Sequence, residues 1–355
     1  MSVPRRRLLF IGAVVIVLVA AAAGVAWFVT SRDDADPTRL ERAVGMAPQD
    51  TERFSWTDWA GVRKELGSDV SAASSTDDVD AFLSDGFDAD LTSVSALVES
   101  APTMQTEYGV SPASADWELL AQGEHGALLL IGVPASLDLD RVGDNLEGLG
   151  YSRPSVADGV WMGGPDVLAR IGQVTQELAF ASVDADRHVL AFSDEAETLE
   201  TWRDSQRGTS DDDGLAATLP HLTGALSAAL YTGAYACVAL SMTQADDVDR
   251  TRAGELIAQA GKVNPLSGFA IAALRGGDVR VAMSFENEDQ ARTNADSRAK
   301  LASGPAPGQG GAFSDRFELG PVKADGDVVT MELDPLPQTY TFSDLANGPL
   351  LFATC

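Results

Sequence analysis

An unbroken apolar run dominates the start of the chain. "LLFIGAVVIVLVAAAAGVAWFVT", Leu8–Thr30, holds no charged residue. As a helix rising about 1.5 Å per residue, it is long enough to cross a hydrocarbon core of about 30 Å. Arg5, Arg6 and Arg7 precede it, while Asp33, Asp34 and Asp36 follow Arg32. The positive-inside bias predicts a cytoplasmic tail over 1–7, a transmembrane anchor over 8–30 and an extracytoplasmic body beyond. Trp27 and Phe28 stand where interfacial aromatic anchors belong. The alternative is a signal peptide cut near Ala21–Ala23, which would leave the body secreted. The run continues through Trp27, Phe28 and Val29, longer than a usual signal core, and favours the anchor. No later stretch is long and apolar enough to cross, so a single pass is expected.

Beyond a polar stalk expected over 31–48, the pattern breaks into short elements. Phe54–Trp56 read as a strand, and Thr57 or Asp58 caps a helix over Trp59–Leu66 that stops at Gly67. A Ser/Asp-rich loop over 68–80 leads into a short helix through Phe82. "LTSVSALVESAP" (91–102) predicts a helix ended by Pro102. "DWELLAQGEHGALLLIGV" predicts a hairpin turning between Gly123 and Gly126. Helical spacing then covers 139–149, "GVWMGG" is a short strand, and Pro165 opens a helix. "ELAFASVDADRHVLAFSD" reads strand, turn, strand, followed by an acidic helix.

"TSDDDG" (209–214) marks an internal boundary, after which the pattern starts again. "YACVALS" is expected as a strand, "DVDRTRAGELIAQAG" as a helix, and "FAIAALRGGDVRVAMSFEN" as a hairpin before the helix at 288–301. After a loop at 303–312, "RFELGPVKADGDVVTMELDP" predicts a hairpin turning at Asp325-Gly326. "DLDR" (138–141) pairs with "DVDR" (247–250), and "FASVDADRHVLAFSDE" with "FAIAALRGGDVRVAMSFENE". These pairs suggest a duplicated unit. The expected fold class is α+β: an N-terminal transmembrane helix, then antiparallel sheets covered by helices on one face, in two duplicated lobes over 49–208 and 215–355.

Charge narrows the partners. With 53 acidic and 25 basic residues the formal net charge is −28. Such a surface repels phosphate backbones, so nucleic acid is excluded as a partner. It suits a soluble acidic body, a basic partner or a cation. The three histidines, His125, His188 and His221, lack the spacing of a helical metal pair. No Gly-x-Ser-x-Gly elbow and no phosphate-binding glycine loop occur. Ser297 and Lys300 match Ser-x-x-Lys without the companion motifs of acyl-serine enzymes. Asp184, Asp186 and Glu195 fit three positions of a calcium loop, but His188 and Val189 stand where that loop needs an oxygen ligand and glycine. Trp56 and Trp59 could stack on a sugar, but the expectation is that they are core residues at a strand–helix junction. No catalytic, cofactor-binding or metal-binding residue is assigned.

"FSWTDWAGVRKELG" and "SPASADWELLAQ", behind an arginine-led anchor, resemble membrane-anchored extracytoplasmic proteins of actinobacteria. That resemblance implies the compartment and the repeated α+β units, and lends no catalytic residue. The function expected is a non-enzymatic envelope module that binds a ligand or a partner protein and contacts the membrane through its anchor. An envelope hydrolase using acidic residues and a cation-responsive acidic domain are the alternatives. Outside the membrane an even cysteine count favours pairing, so Cys237–Cys355 is predicted as a disulfide. A buried free thiol at Cys237 and an interchain bridge through Cys355 are the other outcomes.

Overall fold

Eleven strands, each antiparallel to its neighbours, make one continuous sheet. This is a computed structural model in which residues 36–124, 126–205 and 212–355 are described. The anchor expected over 8–30, His125 and Thr209–Asp211 lie outside them. Among the described residues no helix is long and apolar enough to cross a membrane. Leu40–Cys355 forms one compact unit, distinct from Met1–Arg39.

The first half of the body runs α1 (Arg39–Val44), β1 (Thr51–Thr57), α2 (Trp59–Leu66), α3 (Thr76–Asp88), β2 (Trp117–Gly123), β3 (Gly126–Gly132), α4 (Leu139–Leu149), β4 (Trp161–Met162), α5 (Pro165–Ile171), β5 (Phe180–Asp184), β6 (Val189–Ser193) and α6 (Ala196–Ser205). The second runs α7 (Asp213–Thr218), β7 (Ala225–Thr232), α8 (Gly233–Ala239), α9 (Asp247–Ala260), β8 (Gly268–Leu274), β9 (Val279–Ser284), α10 (Glu288–Ala302), β10 (Phe317–Asp325), β11 (Val328–Pro335) and α11 (Thr341–Leu345). In the sheet the order is β10-β11-β9-β8-β7-β1-β2-β3-β6-β5-β4. Outward from β1 the strands are β2, β3, β6, β5, and outward from β7 they are β8, β9, β11, β10. Each half lays down a strand, two helices, a hairpin, a helix and a second hairpin, with β4 and α5 inserted before the second hairpin of the first half, and the halves meet where β1 pairs with β7.

This equivalence differs from the one expected from the sequence. "DLDR" opens α4, which follows the first hairpin of its half; "DVDR" lies in α9, which precedes it. Likewise "FASVDADRHVLAFSDE" is the second hairpin of its half and "FAIAALRGGDVRVAMSFENE" the first. The short matches fall on non-equivalent elements.

Local chemistry explains most elements. Asp58 caps α2 by accepting from the Gly61 N–H, and Gly67 ends it in the left-handed region that a residue with a Cβ resists. Ser75 and Asp78 form a reciprocal capping box on α3. Three expectations change. First, the sheet is covered on both faces. Phe54, Trp56, Leu119, Leu128 and Leu130 pack under α1, α6 and α7, while Leu129, Ile131, Phe269, Ile271 and Val281 pack under the other helices. Strands buried on two sides read as continuous apolar runs, and every residue of β7 and β8 is buried. Leu40, Ala43, Val44 and Ala47, within the expected stalk, belong to that second core.

Second, the first five residues of "YACVALS" are helical and the strand is the preceding "ALSAALYT". A Cβ at Gly233 would come within 2.6 Å of Leu266 O, so the chain turns closely there, and the alanines that follow favour helix. Third, 91–97 is not helical. The Ala96 N–H goes to Glu118 and the Leu97 N–H to Ser95 Oγ, and Pro102 stands in the first turn of the next helical segment.

At the two margins of the sheet, β4 has 2 residues, and β10 carries Pro321, Lys323 and a register shift between Leu319 and Val322.

Candidate functional site

Two places on the molecule carry chemistry beyond packing. One is an open cleft of about 610 Å³ where the β2–β3 turn meets residues 48–51 and the start of α6. Its described lining holds five carboxylates, Asp50, Glu124, Asp194, Glu195 and Glu197, with Thr51, Thr198 and Thr201, and no lysine or arginine. The fold brings these acids together by close backbone approach. A Cβ at Gly123 would lie 2.5 Å from Asp50 O, and Gly126 turns at φ +125°. Asp194 is fixed by accepting from the Ala127 N–H at 3.3 Å, and Ser193 Oγ donates to Ala127 O at 2.7 Å. Acids in the first turn of α6 also complement its dipole. No group of acids, histidines and cysteines among the described residues is arranged to hold a metal ion. The cleft can attract cationic groups electrostatically.

The other place is a buried polar row across the junction of the halves. Glu118 on β2, Thr57 on β1 and Ser227 on β7 lie in register on adjacent strands, 1 %, 0 % and 0 % exposed. Glu118 accepts from Trp59 Nε1 at 3.0 Å, Ser95 Oγ at 2.8 Å and the Ala96 N–H at 2.6 Å. All of its partners are neutral, and burial pushes it up to about 7 despite those bonds. Ser227 Oγ donates to Leu91 O, while the Thr57 hydroxyl, between them, is buried without a partner. The loop at 91–97 thus lies over the row and is bonded at both ends to it. Just before it, Asp90 caps α11 of the other half, accepting from Phe342 N at 2.6 Å and Ser343 N at 3.0 Å. Burial raises Asp90 above the usual carboxylate range.

The second half has a buried base. Arg298 on α10 is 0 % exposed. Its guanidinium donates to the carbonyls of Phe352 at 3.0 Å, Asn264 at 2.6 Å and Thr354, and to Asn294 Oδ1 at 3.3 Å. Desolvation pulls it down to about 9. The Cys237–Cys355 disulfide, with Cα atoms 5.3 Å apart, ties the same segment to α8.

The other residues singled out in the sequence fall into structural places. Trp56 and Trp59 are both core residues; Trp56 stacks on Trp117 with centroids 5.6 Å apart, and Trp59 serves Glu118. Ser297 donates back to its own helix and Lys300 Nζ to Ala260 O at 3.2 Å. Asp184 accepts from the Arg187 N–H and pairs with its guanidinium, and His188 turns the hairpin at φ +54°. His221 lends its carbonyl to Arg280. The sequence reading passed over Glu118 and Arg298. For Arg298 a signal was present, because Ala291, Asn294, Arg298 and Leu301 repeat at helical spacing along the buried face of α10.

No family model and no curated protein matches the chain. Among solved structures, crystal form I of TP0453 is similar at a TM-score of 0.38 and 9 % identity, over 88 % of this chain and 98 % of that one.

Proposed function

We propose that the chain is a single-pass, membrane-anchored extracytoplasmic module of the cell envelope. It is non-enzymatic, and it binds a cationic ligand or the basic segment of a partner in its acid-lined cleft. The observation that carries the reading is that cleft: about 610 Å³, five carboxylates, no lysine or arginine in its described lining. The compartment is supported by Arg5–Arg7 before the Leu8–Thr30 run and by the disulfide, which persists in oxidising surroundings. The shared strand succession of the halves supports descent from a duplicated α+β unit.

The test is calorimetric titration of the full-length protein with a lysine-rich peptide, a neutral peptide of equal length, and calcium. The lysine-rich peptide should bind and weaken with salt, and Glu124→Gln with Glu197→Gln should weaken it about tenfold or more, as loss of charge-assisted contacts implies. Absence of binding, or binding unchanged by the double substitution, overturns the cleft as the site. Calcium binding with no peptide binding would favour a cation-responsive domain instead.

A further inference from the structure

We propose that a small apolar cavity between α9 and α10 binds a short single-chain carboxylate, an alkyl anion whose head group sits at Lys300. The site is separate from the acid-lined cleft and does not depend on it. The cavity, of about 240 Å³, has Leu256 and Ala260 of α9, Lys300 and Leu301 of α10, and Leu351 of the C-terminal segment in its walls. Leu301 and Leu351 are 3 % and 1 % exposed, and Leu256 is half-buried. Its described lining holds no aspartate or glutamate. In a chain with 53 acidic residues, that sets it apart from the cleft with its five carboxylates.

Two features select the ligand. The first is the apolar wall. Each methylene placed against those leucines leaves water, which favours an alkyl chain over a polar molecule. The volume falls short of the roughly 300–1,000 Å³ of drug-sized sites, so it suits one short chain and not the paired chains of a membrane lipid.

The second is the charge of Lys300. Its Nζ donates to Ala260 O at 3.2 Å, which holds the ammonium beside another residue of the cavity wall. An ammonium carries three donors, and that bond uses one. Among the described residues no carboxylate pairs with Lys300. Glu255 of α9 is taken by Arg252 at 2.9 Å, and Glu288 and Asp289 of α10 by Arg292. Asp296, one turn before Lys300, forms no ion pair with it. Gln259, also in the lining, brings an amide that can donate to the same carboxylate. The acidic surface opposes an anion only weakly here, because charges more than about 8 Å away are largely screened at physiological salt.

The test is amide hydrogen exchange of the full-length protein at pH 7 during titration with octanoate. Octanol serves as the chain without the charge, and acetate as the charge without the chain. Octanoate should slow exchange, saturably, in peptides covering 256–260 and 300–305, while acetate should not. Lys300→Met keeps an unbranched stem and removes the charge. It should raise the octanoate midpoint about tenfold, as loss of a bond to a charged group implies, and leave the octanol midpoint where it was. Leu256→Trp, which fills the cavity from its wall, should abolish protection by both. Octanoate that slows neither peptide overturns the proposal, as does acetate that protects as well as octanoate. An octanoate midpoint unmoved in Lys300→Met overturns the assignment to a carboxylate. Lys300 is exposed, so that variant should fold. If Leu256→Trp does not, the Lys300→Met comparison decides alone.

Discussion

Apart from β4, the two halves of the body lay down the same succession of strands and then secure their irregular segments with a buried acid in one and a buried base in the other. In the first, Glu118 accepts from Ser95 and Ala96 of the 91–97 loop and from Trp59 of α2. In the second, Arg298 holds the 350–355 segment through the carbonyls of Phe352 and Thr354. Neither group meets a countercharge in those bonds; each is bonded to neutral groups. Strand topology is thus set by apolar burial. The anchoring of what lies between strands is left to local polar chemistry, which differs between the halves. A second contrast is in helix placement. After β6, α6 covers the face that holds Phe54 and Leu128, whereas after β11, α11 goes to the opposite face with Phe342 and Leu345. Arg280 and Glu332, paired at 2.8 Å, are left half-exposed on the outer strands of the second half.

The largest test of this contrast is removal of the disulfide. Cys237→Ser with Cys355→Ser opens a loop with a sequence separation of 118, and should lower stability by about 4–5 kcal/mol in the chain-entropy model. Urea unfolding measures it. An unchanged midpoint would mean that Arg298 and the apolar contacts suffice, making the halves more alike than argued. Next is Arg298→Met, which keeps the bulk and strips the donors from buried carbonyls. A loss of about 3 kcal/mol is expected in the same assay. A loss near zero would show that the charge is dispensable.

The smallest effect is expected from Trp59→Phe, which removes one donor from Glu118 and should cost about 1–2 kcal/mol. Its pH dependence sharpens the comparison. Glu118 lies above its ordinary value in the fold, so its contribution is complete below 4.5 and is lost as pH rises through about 7. Losing a donor should carry that decline to still higher pH. Arg298, held down to about 9, runs the other way, with stability recovering as pH rises above about 9. Stability curves of Trp59→Phe and wild type that superimpose between pH 5 and 8 would refute the role given to Trp59.

Much of the fold was legible where punctuation is strong. The β2–β3 hairpin was marked by Gly123 and Gly126, α2 by Asp58 and Gly67, and α5 by Pro165. The strand β7 was missed because an alanine-rich segment buried on both sides shows no alternation, and its neighbour "YACVALS" looks equally apolar. The disulfide was legible from the expected compartment and the even cysteine count, although Cys237 lies on a helix and not on the expected strand. Glu118 hid because a polar residue in "DWELLAQ" reads as solvent-facing. Yet Trp117 and Leu119 lie on one face and Leu120 on the other, so both faces were already apolar there. The acid cleft was not legible, since its five carboxylates come from segments around residues 50, 124 and 195 that only the folded chain unites.

The margins of the sheet have a consequence for crowding. At high local concentration a long free strand invites the next copy to add on. Here one margin ends in the 2 residues of β4 and the other in β10, where Pro321 lacks an N–H, Lys323 brings charge and the ladder is broken between Leu319 and Val322. Each molecule therefore terminates its own sheet, and copies packed side by side have no template on which to polymerise.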